Sequence, residues 1–501
     1  MRSFIAAAWL AAGSCAVALS DPIRTTYGLV SGAGMDFRQY KGIPYAAPPV
    51  GDLRWRPPQP PKPWTGVRAA TEYGNDCMQS EASRARPQSE DCLFLNVLTP
   101  ARSPKDKLPV MVWIHGGGFA AGSGVADQYP SEPLPRRGIV LVTMNYRVNV
   151  FGFLAHPALT AESRNHSSGN YGLLDQIAAL KWVKANIEAF GGDPARVTIF
   201  GTSAGGSAVG RLILSPLARG LFHRASAQSP GREFRPLRSL SEAEKLGEFW
   251  GKDLAALRAM HAMDLVRRLK RAPAGPTDDP AIFWAIVDGW VIPKEDVSLY
   301  RRGKVNAVPL IVGNNEDEIE LFFRNHAPIT LASYRAYVER WFGDKQDRVL
   351  DRYPASNDEE AHESFRRLLG DTEFVYPAGA MAGAMSPWAP VYRYHFTRAR
   401  GPRKAATHTD QVPYLFGNLH LPHFGIPAGT VEPADVRLSE EMMDAFVRFA
   451  ATGDPNGGTL PRWDRYKAAN DAHLEFGNSI KPGRGLHTEM IDFWESIFGR
   501  R

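Results

Sequence analysis

The run Gly201-Thr202-Ser203-Ala204-Gly205 constrains this chain more than any other part of its sequence. An apolar stretch, Val197-Thr198-Ile199-Phe200, leads into it, and Ala204 to Leu214, small residues followed by apolar ones, leads out. Small residues two places before and after a serine let a strand turn sharply into a helix. The serine then sits in a strained conformation, with its hydroxyl raised above the sheet. The N-terminus of the following helix turns free N–H groups toward that hydroxyl, where negative charge develops if the serine attacks a carbonyl. Ser203 is therefore the candidate nucleophile, although the five-residue pattern alone is only moderately specific.

A second glycine run raises that specificity. His115-Gly116-Gly117-Gly118 directly follows the apolar stretch Val110-Met111-Val112-Trp113-Ile114. Glycines there let backbone N–H groups approach a substrate oxygen closely. Two such donors, with the N–H of Ala204, would form a three-donor oxyanion hole.

The wider pattern predicts an α/β architecture. Strand candidates at Pro109–Ile114, Ile139–Asn145, Val197–Gly201, Pro309–Gly313 and Val391–Phe396 alternate with helical periodicity, as in a mostly parallel sheet covered by helices. Leu173, Ile177, Leu180, Val183, Ile187 and Phe190 recur at steps of three and four, which predicts an amphipathic helix stopped by Gly191-Gly192. Residues 240–300 and 330–385 are helical in pattern and more charged, and are read as insertions roofing the site.

A serine hydroxyl needs a base, and the base an orienting carboxylate. Ten histidines follow Ser203, and pattern alone does not choose among them. His420 and His423 lie three apart, which without a third ligand is weak evidence for a metal. No metal and no cofactor is expected.

Residues 21–501 are read as one domain, because no Gly/Ser or Pro tract marks a linker and no repeat occurs. Before them, Arg2, the apolar run 4–12 and Ala18-Leu19-Ser20 form the pattern of an export signal cleaved before Asp21. The apolar run is too short to span a bilayer, so a secreted or periplasmic protein is expected. A rival reading makes Cys15 a lipid-bearing first residue, but the usual Leu three places earlier is missing. Cys77 and Cys92 then remain, one available bridge in an oxidising compartment, with two free buried thiols as the alternative. The net charge is +6, with basic clusters at Arg267–Arg271, Arg301–Lys304 and Arg398–Lys404. They lack aromatic interleaving or a nucleic-acid-binding motif and are read as solvated faces. Asn165-His166-Ser167 matches a glycosylation sequon.

Beyond these motifs, the chain closely resembles the type-B carboxylesterase and cholinesterase family of α/β-hydrolases. The residues that carry the resemblance run along nearly the whole chain: Tyr40-Lys41-Gly42-Ile43-Pro44-Tyr45-Ala46, Glu90-Asp91-Cys92-Leu93-Phe94-Leu95-Asn96-Val97, Asn145-Tyr146-Arg147, Gly169-Asn170-Tyr171-Gly172-Leu173-Leu174-Asp175-Gln176, Ala189-Phe190-Gly191-Gly192-Asp193-Pro194 and Thr452-Gly453-Asp454-Pro455-Asn456. The resemblance implies Glu318, within Gly313-Asn314-Asn315-Glu316-Asp317-Glu318, as the acid, with Glu316 and Asp317 as competitors. It implies His408, ahead of Pro413-Tyr414-Leu415-Phe416, as the base, and Gly117, Gly118 and Ala204 as oxyanion donors. It also implies a Cys77–Cys92 disulfide and structural ion pairs Arg54–Glu90 and Arg147–Asp175.

Departures from the family bear on substrate. Thr202 stands where many relatives carry Glu, and Ile319 where Gly is usual. Leu321 stands where an aromatic often helps to hold a cation, followed by Phe322, and the Cys77–Cys92 segment holds no Trp. Choline esters are therefore poor candidates. Arg232, Arg235 and Arg238 follow Gln228-Ser229, where relatives approach the acyl group; they are read first as solvated loop charges, with an ester whose acid carries carboxylates as the functional alternative. The expected partner is a small-molecule ester, with no nucleic acid and no membrane span. An adhesion protein of the same fold would lack the triad residues, and a lipase would need an exposed apolar lid helix that the sequence does not display.

Overall fold

The computed structural model describes residues 19, 21–79, 86–125, 129, 131–269, 283–324 and 327–498. Apart from Leu19, the predicted leader 1–20, with Cys15, lies outside the described residues. Ten strands form one sheet: β1 (Arg38–Pro44), β2 (Phe94–Thr99), β3 (Leu108–Ile114), β4 (Val140–Met144), β5 (Gly192–Thr202), β6 (Arg224–Gln228), β7 (Leu310–Asn315), β8 (Val391–Phe396), β9 (Ala472–Phe476) and β10 (Ile480–Arg484). Across the sheet they run β10-β9-β8-β7-β6-β5-β3-β4-β2-β1. From β9 to β4 every neighbouring pair is parallel, and the antiparallel pairs lie at the two edges.

The five predicted strands are present with small shifts at their ends, and β5 begins at Gly192, five residues earlier than expected. Their near-continuous apolar sequences follow from burial on both faces. In β3, Val110, Val112 and Ile114 enter one apolar core, while Met111 and Trp113 enter the other. The two-residue period of a strand thus divides a single run between two helical layers. Strands β9 and β10, at one end of the sheet, were not expected, since His473, Glu475 and Lys481 interrupt their apolar pattern.

Helix α1 (Tyr171–Asn186) corrects the amphipathic expectation. Its first seven residues are all buried, Asp175 and Gln176 included, and the exposed positions lie in the later turns, at Lys181, Lys184 and Ala185. The chain then tightens into a 3-10 turn over Ile187–Phe190, and Gly191, at φ 80°, ends it. Helix α2 (Ala204–Leu214) is buried along its whole length. The expected helical insertions include Leu240–Gly247, Leu331–Phe342, Asp358–Gly370 and Tyr376–Met385. The last two are joined without a break by a π-helical turn, Asp371–Val375.

Cys77 and Cys92 are joined in a disulfide, with their Cα atoms 5.0 Å apart. Arg54 donates to both oxygens of Glu90, and Arg147 to both of Asp175, at 2.5 to 2.8 Å. The basic cluster at Arg398–Lys404 is not the solvated face expected. Arg398 pairs with Asp435, Arg403 pairs with Asp410, and Arg400 is buried with a guanidinium bond to the Leu419 carbonyl. Arg267, by contrast, is exposed and pairs with nearby Asp264. Asn165 is exposed, while Ser167 of its sequon is buried and bonded to Asp288. Among the described residues, no helix is long and apolar enough to cross a membrane.

Candidate active site

The C-terminal ends of four adjacent strands, β3, β5, β6 and β7, deliver the candidate residues to one edge of the sheet, the position where α/β folds bind ligands. Gly201 pairs with Ile114, Thr202 with Gln228, and Gln228 with Gly313. The glycine run after β3, the Ser203 turn after β5, Ser229 after β6 and Glu318 after β7 are therefore neighbours by register.

Ser203 has φ 59° and ψ −129°, a strained conformation for a side-chain-bearing residue. The flanking glycines make this turn possible. A Cβ on Gly205 would lie 2.1 Å from the Ile114 carbonyl oxygen, and one on Gly201 2.5 Å from the same atom. The Ser203 N–H donates to the Gln228 carbonyl at 3.0 Å, which ties the turn to β6. Ala204 is the first residue of α2, so its N–H has no acceptor within the helix.

The run 115–118 packs against the same turn. A Cβ on Gly116 would lie 3.1 Å from that of Ser203. Gly117 at φ 108°, Gly118 at φ 62° and Phe119 at φ 55° form a left-handed stretch. His115 stacks on Tyr146 with ring centroids 4.2 Å apart, and the Tyr146 hydroxyl donates to the His115 carbonyl at 2.8 Å. The strained segment is thereby fixed at its root.

His408 and Glu318 meet in the interior. Nδ1 of His408 lies 2.6 Å from Oε2 of Glu318, and both residues are 2 % exposed. Oε1 of Glu318 accepts from the Ser229 hydroxyl at 2.7 Å and the Asn315 N–H at 2.5 Å. The competing carboxylates have other surroundings: Asp317 pairs with Arg366 at 2.8 Å, and partial burial raises the carboxyl of Glu316 above its usual range. The ring of His408 packs against Phe374 at 4.4 Å and Phe322 at 5.2 Å, and its Nε2 is buried with no hydrogen-bond partner among the described residues.

A buried amide network links the three loops. Nε2 of Gln411 donates to the Thr202 hydroxyl at 3.0 Å and to Oε1 of Gln228 at 3.1 Å. Its own Oε1 accepts from Asn315 at 2.8 Å, and Asn315 also donates to the Thr407 carbonyl at 2.6 Å. Thr202 is thus buried, with its hydroxyl held by Gln411. Leu321 is half-buried, its N–H donating to the Thr407 hydroxyl, while Phe322 is 49 % exposed and stacks on Phe374. Arg232 and Arg235 both pair with Glu373 and line a cavity whose walls include neither Ser203 nor His408. Sequence reading missed Ser229, Phe374 and Gln411. None carried a local signal: β6, the strand that delivers Ser229, was itself not among the expected strands. Among the described residues, no group of acidic, His or Cys side chains could hold a metal ion.

Comparison with known proteins agrees with this architecture. The profile described as the carboxylesterase family matches residues 20–494. The fumonisin B1 esterase of Sphingopyxis macrogoltabida is 43% identical over 92% of this chain and 87% of its own. The para-nitrobenzyl esterase of Bacillus subtilis (strain 168) is 36% identical over 89% of this chain and 92% of its own. A solved thermophilic PNB esterase superposes with a TM-score of 0.83 at 33% identity, covering 94% of this chain and 99% of that one. This chain therefore belongs to the carboxylesterase family and is a carboxylesterase of the α/β-hydrolase fold.

Proposed function

We propose that the enzyme hydrolyses carboxylic esters through Ser203, His408 and Glu318, by way of an acyl-enzyme. The observation that carries this reading is the 2.6 Å contact between Glu318 and His408 at the same sheet edge as the strained Ser203 turn. His408 Nε2 takes the proton of Ser203 as Oγ attacks the ester carbonyl carbon. The N–H groups of Gly117, Gly118 and Ala204 stabilise the negative oxygen. Collapse breaks the bond to the alcohol, which leaves with the proton from His408. Water, deprotonated by the same ring, then attacks the acyl carbon, and Ser203 departs with its proton restored. Glu318 holds the ring by Nδ1 and balances its charge while Nε2 carries the proton. Ser203→Ala should abolish turnover with folding intact; appreciable activity in that variant would remove Ser203 from the role.

Within this reaction, the preferred substrates are esters whose acid bears a carboxylate. Arg232 and Arg235 support this, since both pair with Glu373, the residue before Phe374, whose ring packs on His408. The similarity to an esterase named for fumonisin B1 makes that compound the first to try. A panel of a neutral butyrate ester, a hemisuccinate ester, a p-nitrobenzyl ester and fumonisin B1, compared by kcat/KM, tests the preference. A strong preference for the neutral butyrate would remove it. Export through residues 1–20 is part of the same proposal and is supported by the disulfide, a bond that persists in oxidising compartments. N-terminal sequencing of the protein outside the cytoplasm should begin at Asp21.

A further inference from the structure

A cavity of about 670 Å³ lies between residues 232–238, the Trp341-Phe342 helix end and the C-terminal Ile497-Phe498. Basic side chains outnumber acidic ones five to two around it, yet Trp284, Trp341 and Phe342 give it aromatic walls. A net positive lining beside aromatic surface suits a ligand with an anionic head and an apolar stem.

Its cationic wall is rigidly built. Arg232 and Phe234 hold φ values of 59° and 63°, which cost energy unless neighbouring contacts compensate. The contacts come from below: Glu233 pairs with buried Arg211 at 2.9 Å, and the Phe234 N–H donates to Asp296 at 2.8 Å. The two middle residues are thus held from the inner side, while the flanking Arg232 and Arg235 turn to a common acceptor. Nε of Arg232 lies 3.1 Å from Oε2 of Glu373, and Nη1 of Arg235 pairs with Oε1. Both guanidinium groups are at most 12 % exposed. A carboxylate already sits between two planar donors, Arg235 buried and Arg232 largely so, the geometry such groups bind best.

We propose that this cavity is a binding site for a carboxylate on an apolar stem, whose head shares Arg232 and Arg235 with Glu373 and whose stem lies along Trp284 and Trp341. The carboxylate comes either from an acid arm of the ester remote from its scissile bond or from a free acid. Only the first source rests on the acid-ester preference proposed above.

The test uses enzyme inactivated with diisopropyl fluorophosphate, with the adduct on Ser203 verified by mass, so that the reaction centre is closed. Failure to label Ser203 would count against the catalytic reading and leave this one to be tested on the Ser203→Ala protein by the same titration. Tryptophan fluorescence is followed during titration with decanoate and, in parallel, with decanol. Saturable quenching by decanoate, at least about tenfold tighter than by decanol and weakened about tenfold by Arg235→Gln, is expected for a lost charge-assisted pair. Arg235→Lys keeps the charge and should retain part of the affinity, which separates loss of the site from misfolding. Equal binding of decanoate and decanol by the inactivated enzyme, or none by either, would overturn the proposal. On active enzyme, decanoate that raises KM only for carboxylate-bearing esters identifies the ester arm as the occupant. Decanoate that binds without changing their KM identifies the free acid.

Discussion

Oε2 of Glu318 lies 2.6 Å from Nδ1 of His408, while its Oε1 is held by Ser229 and Asn315. The carboxylate is therefore fixed from both sides and can fix the ring in turn. Glu318→Gln keeps the shape and part of the hydrogen bonding but loses the charge that balances the imidazolium. We expect His408→Ala to lower kcat by about five to six orders of magnitude and Glu318→Gln by about one to two orders less. Steady-state kinetics on matched, folded preparations check the ranking; a Glu318→Gln loss equal to that of His408→Ala would contradict the orienting role.

Gln411 joins Thr202, Gln228 and Asn315, one residue from each of three strand ends. Gln411→Leu removes the hub and leaves buried donors and acceptors without partners. The expected cost is about 1–3 kcal/mol in denaturant unfolding, with a fall in kcat and little change in KM. A variant of unchanged stability would show that the network relaxes without loss.

Phe374 covers one face of His408 from a π-helical turn inside a long helix. Such turns insert one residue into the helical repeat and re-aim the side chains around it. Phe374→Ala empties that space and should destabilise the protein by about 3–5 kcal/mol. Phe374→Leu should recover most of the stability but less of the activity, because the ring contact to His408 is lost. Thermal unfolding and kcat for one neutral ester separate the two effects.

Burial pushes His395 down to about 3, helped by His487, His473 and Arg393, and burial with Arg400 and Arg403 pushes His423 down to about 3. Below the ordinary histidine range near 6.5, the unfolded chain takes up protons that the folded protein refuses. The stability these residues contribute is present above about pH 6.5 and is lost progressively as the pH falls toward 3. Asp410, which burial lifts to about 6, acts in the opposite direction but with a smaller shift. Urea midpoints between pH 7 and pH 4 should therefore fall, and His395→Gln should flatten the slope. A midpoint that rises on acidification would contradict the assignment.

How much of this was readable without coordinates differs from residue to residue. The β3 and β5 strands and the Ser203 turn were legible because their constraints are local: continuous apolar runs, and glycines where a Cβ would meet the Ile114 carbonyl. Glu318 was not separable from Glu316 and Asp317 by chemistry, since all three lie in one loop and only the fold directs Asp317 to Arg366. The resemblance chose among them. Arg398 and Arg403 were misread as solvated because their partners, Asp435 and Asp410, lie outside the local cluster. Phe374 left no trace because a π-helical turn has no periodicity that sequence inspection recognises. The arginines at 232 and 235 were noticed as a charge pattern, but Glu373, which pairs with both, is far along the chain.

The central claim is that Ser203 carries the acyl group. Mass spectrometry of the peptide containing Ser203, after quenching with acid during turnover of a p-nitrophenyl ester, tests it most directly. The account predicts an acyl adduct on Ser203 that forms and decays at rates matching turnover and is absent in Ser203→Ala. Turnover without an adduct, or an adduct on another residue that keeps pace with turnover, would contradict it.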